Sequence, residues 1–179
     1  MQSLANFLGR ELIWMPSRTQ KRTYELHADT EVVATLYQPS GWRSNRLGSA
    51  ADGRWTFARV GVFRQRVVIC DADSSVEIAS LPRIGWTGNA SLALPDGSDY
   101  QWRSGSVWGT KWVWLDASGQ PLLRFRQFGA LRLQCAVAVE PSAATSQHLS
   151  LLAMLGWYLM MLMNEDTAAR TAAVVAATS

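Results

Sequence analysis

Residues 149–163, LSLLAMLGWYLMMLM, admit few folds. Only Ser150, Gly156 and the Tyr158 hydroxyl interrupt an otherwise apolar run. A helix that is apolar on every side must be enclosed on every side, by protein or by lipid. Fifteen residues rise about 22 Å as a helix, whereas a bilayer core of about 30 Å takes about 20 residues. Asn164, Glu165 and Asp166 end the run abruptly, and Met154, Met160, Met161 and Met163 are flexible side chains suited to irregular gaps. The reading that follows is a helix over about 146–163 buried inside protein, with Leu152, Leu155, Trp157, Leu159 and Leu162 as the plug. A C-terminal membrane tail is the alternative. What encloses the helix has to come from the rest of the chain.

The residues before it read as strands. TYELHA (23–28), EVVATL (31–36), RWTFARV (54–60), RVVICD (66–71), SVEIASL (75–81), SLALP (91–95), DYQWRS (99–104), KWVWLD (111–116), PLLRFR (121–126) and ALRLQCAVAVE (130–140) are short alternating or β-branched runs. Turn residues such as Asp52-Gly53, Asp96-Gly97 and Ser118-Gly119 separate them, the signature of antiparallel hairpins. The pattern also repeats. Glu31, Val76 and Pro121 open similar strands at intervals of 45 residues, and Asp71 and Asp116, 45 apart, each end a strand just before a turn. Three units of about four strands are too few for a propeller but enough, joined edge to edge, for about twelve strands. A sheet that wide curls and closes to remove its edges. The predicted fold is therefore mainly β: a closed antiparallel barrel of about twelve strands wrapped around a C-terminal hydrophobic helix.

Within that fold, residues 1–22 read as an N-terminal segment with a short helix, because Leu4, Phe7, Leu8 and Leu12 follow Ser3, a plausible N-cap, at helical spacing. Residues 23–166 make the barrel and its central helix, and 167–179 read as a flexible tail. The opening MQSLANFLGRELIWM has no basic leader before an unbroken apolar core, so it does not read as a signal peptide. The expected location is cytoplasmic, possible attachment being peripheral, at the inner membrane face.

Chemistry is sparse. With 17% charged and 48% hydrophobic residues the chain is not disordered, and a net charge of +3 is small for a nucleic-acid binder. His27, His148, Cys70 and Cys135 lack metal-ligand spacing. Asp71-Ala72-Asp73-Ser74 opens like a calcium loop, but Val76 and Pro82 stand where Gly and Glu are needed. No nucleophile motif or phosphate-cradling loop is present, so no catalytic residue, cofactor or metal is expected. The nine tryptophans read mainly as wall packing: Trp112 and Trp114 share one strand face, as do Trp55 with Phe57 and Tyr100 with Trp102. The alternative is an exposed aromatic patch ringed by Arg43, Arg46, Arg64, Arg66 and Arg103, which are the candidate contacts to an anionic surface.

Hairpins such as YELHADTEVVATL and KWVWLDASGQPLLRF, followed by LLAMLGWYLMMLM as a plug, resemble the tubby C-terminal-like superfamily, which includes the LURP-one-related proteins and the phospholipid scramblases, in the form of an uncharacterised bacterial-type member. The resemblance spans about residues 23–166. It implies the closed barrel around a hydrophobic helix and a lipid- or protein-facing role. Tubby proteins hold phosphoinositide headgroups with a Lys-x-Arg pair; the nearest counterpart here is Arg64-Gln65-Arg66. Scramblases carry an acidic calcium segment before the terminal helix, whereas PSAATSQH has no carboxylate. The function expected is a non-enzymatic interaction module that binds a protein partner or an anionic phospholipid surface. The alternatives are a calycin-like barrel holding a small hydrophobic ligand, with the helix outside, and a tail-anchored membrane protein.

Overall fold

A computed structural model describes residues 1–40, 45–61, 65–82, 89–105, 110–129 and 133–177. Twelve strands form one antiparallel sheet: β1 (Glu11–Pro16), β2 (Thr23–Ala28), β3 (Glu31–Tyr37), β4 (Arg46–Ala50), β5 (Gly53–Val60), β6 (Arg66–Asp71), β7 (Glu77–Pro82), β8 (Ala90–Ala93), β9 (Asp99–Ser104), β10 (Lys111–Asp116), β11 (Pro121–Phe128) and β12 (Gln134–Val139). Each strand pairs with its neighbours in sequence except β7 with β8, and β1 closes onto β12 with Trp14 opposite Cys135. The ladder order runs from β7 round to β8, and those two strands lie side by side at the seam of a nearly closed barrel.

The 45-residue period is visible in the hydrogen bonding. The hairpins β2–β3, β6–β7 and β10–β11 each carry a register shift near the turn, after Leu26, Ile69 and Trp114 respectively. Bulges of this kind bend a strand and raise its twist, so each repeat contributes the same curvature at the same place. The two aligned aspartates do the same work: Asp71 Oδ1 accepts from the Ser74 N–H at 2.7 Å, and Asp116 Oδ1 accepts from the Ser118 and Gln120 N–H groups at 2.9 and 2.8 Å.

The helix α1 (Leu149–Ala177) runs through the barrel. Every residue from 149 to 162 is buried, including Leu152, Leu155, Trp157, Leu159 and Leu162. The space that a calycin-type barrel keeps open for ligand is thus filled by its own chain. The wall supplies the aromatic partners: Trp14 stacks on Trp157 at 6.2 Å, Phe57 on Tyr158 at 5.6 Å, and Trp102 packs among Trp112, Trp114 and Phe125. Trp112, Trp114, Tyr100, Trp102 and Phe57 all face inward and are buried, and Trp55 packs half-buried against them.

Helix and wall approach most closely at two glycines. A Cβ on Gly156 would stand 2.6 Å from the Phe125 ring and 3.0 Å from Trp102; one on Gly48 in β4 would stand 2.6 Å from Met154 Sδ and 2.9 Å from Phe57. Gly156→Ala is therefore expected to destabilise. The about 1 kcal/mol gained in helix propensity is outweighed by overpacking of about 1–3 kcal/mol against two fixed rings. A urea midpoint at or above that of the parent chain would show that the rings yield.

Three expectations are corrected. The barrel begins at Glu11, because β1 pairs with both β2 and β12; only Leu4–Phe7 is helical before it, as a 3₁₀ turn with Ser3 as its cap and Leu4 and Phe7 buried. The strand β4 joins the ten read from sequence. Its Arg-Leu-Gly-Ser-Ala has poor strand propensity, but Gly48 is what lets α1 approach. The segment after Asp166 continues α1 to Ala177 as a helical arm, exposed over 167–176, where a flexible tail was expected over 167–179.

Candidate functional site: a basic rim around the protruding helix

An up-and-down meander places successive turns at alternate ends of the barrel. The hairpins β2–β3, β4–β5, β6–β7, β8–β9 and β10–β11 fall on one rim, and they bring Asp29, Asp52, Asp71, Asp73, Asp96 and Asp116 there. The opposite rim carries the loop 17–22 with Arg18, Lys21 and Arg22, and the strand ends bearing Arg46, Arg59, Arg66, Lys111 and Arg126. The chain is nearly neutral in sum, yet its two rims carry opposite charge. Among the described residues, minority charges on each rim are paired. Arg10 with Asp29, and Arg54 with Asp73 at 2.9 Å, serve the acidic side; Glu165 and Asp166 serve the basic side.

The arm of α1 leaves through the basic rim. There Arg46 donates to Glu165 at 3.4 Å, Arg59 to Asp166 at 2.6 Å, and the Asn164 side chain to Gln127 at 3.3 Å. These contacts hold the helix at the depth where its apolar run ends. Burial raises the pKa of the Tyr24 and Tyr158 hydroxyls beneath them, against the opposing pull of Arg46. The Tyr158 hydroxyl has no hydrogen-bond partner among the described residues.

The five arginines expected to meet an anionic surface fare differently. Arg43 and Arg64 lie outside the described residues. Arg46 is 7% exposed and tied to Glu165 and the Asn45 carbonyl, so it latches the helix and is corrected from surface contact to structural pair. Arg66 is exposed and bonded to Glu77 at 2.8 Å. Arg103 is half-buried, with its guanidinium 2.9 Å from Gln101 Oε1. Sequence reading pointed to Arg18, Lys21 and Arg22 only as basic flanks of the N-terminal segment, and it missed Arg59, Lys111 and Arg126. Strand polarity was the available signal, since cations start the even-numbered strands β4, β6 and β10 and aspartates end β6 and β10.

At the acidic rim, the His148 ring, just before α1, donates from Nε2 to Asp96 at 2.6 Å and meets the Tyr100 ring edge-on at 6.1 Å. That bond, followed by the Ser98 N–H, holds the Asp96 carboxyl at about 2; turn N–H and hydroxyl donors lower Asp71 and Asp116 likewise. A carboxyl with a depressed folded pKa adds stability above its unfolded value near 4, and loses it as pH falls through its folded value. The thermal midpoint is therefore expected to fall more steeply between pH 4 and 2 in the parent chain than in Asp96→Asn; parallel curves would remove Asp96 from the acid transition.

Other chemistry does not converge. Cys70 and Cys135 are free thiols, and burial pushes Cys135 up to about 12, which keeps it protonated. His27 sits 3.0 Å from Glu25, separate from both cysteines. Among the described residues no three His, Cys, Asp or Glu side chains come together to hold a metal, and no helix is long and apolar enough to cross a membrane. In comparison with protein-family models, curated proteins and solved structures, nothing matches this chain.

Proposed function

We propose that this chain is a non-enzymatic, tubby-like interaction module that docks end-on to an anionic membrane surface through its basic rim. The observation that carries this reading is the segregation of charge by strand polarity. Cations gathered on one rim act on an anionic plane together, each adding about 1 kcal/mol near the surface, and the carboxylates on the far rim keep the opposite face away. A nearly closed β wall with its core filled by its own helix suits a rigid platform better than a container.

Vesicles rich in anionic lipid should sediment the protein at low salt, and recovery should fall steeply as salt shortens the screening length. Arg18→Gln with Lys21→Gln should weaken capture several-fold, while Asp52→Asn should not. Arg46→Gln should lower stability and leave capture by the folded fraction unchanged. Equal recovery on neutral vesicles would remove the membrane and leave a protein partner.

A further inference from the structure

We propose a second site on the outer wall, which shares Lys111 and Arg126 with the basic rim: a trench along β12 that binds an extended acidic peptide with carboxylates at alternate positions. Ala136 and Ala138 form its floor. Register places Arg124 beside Ala138 and Arg126 beside Ala136 on one flank, with Glu11 beside Ala138 on the other. Lys111 stands directly opposite Arg126, and the depression has a volume of about 260 Å³. Two small residues between rows of long ones leave a channel about two strand spacings wide, roughly 10 Å.

The charges define the occupant. Arg124 and Arg126 are two apart on one strand, so their side chains leave the same face about 6.7 Å apart, the spacing of alternate residues in an extended peptide. Both guanidiniums are more than half exposed. The chain's own carboxylates already show the bonding expected of the guest: Glu140 accepts from Arg124 Nε at 2.7 Å, and Glu11 accepts from Arg126 at 3.4 Å from across β12. A planar guanidinium matches a carboxylate with directional, charge-assisted bonds, and a peptide laid along β12 offers two of them in register. Glu11 and Glu140 are then internal competitors that the guest displaces.

The test is fluorescence anisotropy on the full chain at 0.15 M salt, with labelled Glu-Thr-Glu-Thr-Glu-Thr compared with Glu-Glu-Glu-Thr-Thr-Thr. The two peptides have equal charge and composition and differ only in spacing. The alternating peptide should bind about tenfold tighter, and Arg124→Gln or Arg126→Gln should each abolish most of that preference. Glu140→Gln, which removes a competitor, should tighten binding about threefold, an effect that a merely structural ion pair does not produce. Equal affinity for the two peptides, or binding indifferent to both arginines, overturns the proposal. Loss of vesicle capture in Arg124→Gln/Arg126→Gln without any peptide binding would also overturn it and assign the trench to the membrane face. Peptide binding with no vesicle capture would sustain it and overturn the rim reading alone.

Discussion

A chain that ends at His148 is expected not to fold. The twelve strands would remain, with the same turns and the same pairing preferences, but the barrel they form is not a container that can stand empty. Its inward face carries Trp14, Phe57, Trp102, Trp114 and Phe125, each essentially inaccessible to solvent because α1 covers it. Removing the helix also removes Leu149, Leu151, Leu152, Met154, Leu155, Trp157, Leu159 and Met160 from the core. Full burial is worth about 1.5–3 kcal/mol for each large apolar side chain, so these residues together supply at least as much as the about 5–15 kcal/mol by which domains are stable at all. No collapse of the wall can replace them, because the continuous twelve-strand ladder and the three repeated bulges set the barrel's width. The truncated chain should lack a cooperative thermal transition, show red-shifted tryptophan emission and bind hydrophobic dye. A soluble product with a sharp transition would mean that the wall is self-sufficient and that α1 is an ornament on it.

Trp102→Ala should be the most costly single substitution in the wall, by about 3–5 kcal/mol. Trp102 lies in β9 with no solvent exposure and touches three aromatic neighbours: Trp112, stacked at 5.4 Å and 2°, Trp114 at 5.0 Å and Phe125 at 5.2 Å. It also flanks the Gly156 position where helix and wall come closest. Truncation thus opens a cavity bounded by three rings and a helix backbone, none of which can move inward without breaking other packing. Trp102→Phe separates volume from polarity. The indole N–H of Trp102 has no hydrogen-bond partner among the described residues, so its removal offsets part of the lost contact, and the cost should drop to about 1–2 kcal/mol. Chemical denaturation of the three proteins gives the ordering directly. Near-equal stability of Trp102→Ala and the parent would show that the aromatic cluster repacks freely.

The pairing of rims with charge has a local structural side as well. The first turn of α1 opens at the acidic rim, where its unpaired N–H groups carry partial positive charge, and Asp96 stands beside it through His148. Carboxylates there are favourable whatever the barrel binds. At the basic rim α1 does not end but continues as an arm beyond Asp166, and the chain's own carboxylates already pair Arg46, Arg59, Arg66 and Arg126.

Some of this could be read without a structure, because it depends on residues close together in the chain. An apolar run too short for a bilayer and too uniform for a surface helix states its own burial. Alternating β-branched and aromatic residues between Asp-Gly and Ser-Gly turns state hairpins, and the repeat of Asp71 at Asp116 states that the hairpins are copies. What stayed hidden depends on distant contacts. The segment ELIWMP continues a helical spacing of leucines and became β1 only because β12 and β2 offer their edges to it. Weak strand formers at 46–50 became β4 because Gly48 is the gap that Met154 needs. Arg46 could not be told from Arg66 by sequence, yet one is buried against Glu165 and the other is exposed and paired with Glu77.

By itself, then, the sequence determined the elements that local energetics decide: the buried helix, most of the hairpins and their threefold repetition. Only the tertiary structure decided which strand ends share a rim. That choice turned a nearly neutral composition into a molecule with opposite charge at its two ends. The physical reason is that propensity and hydrophobic period act over a few residues, whereas charge acts through space between residues that only closure of the barrel brings together.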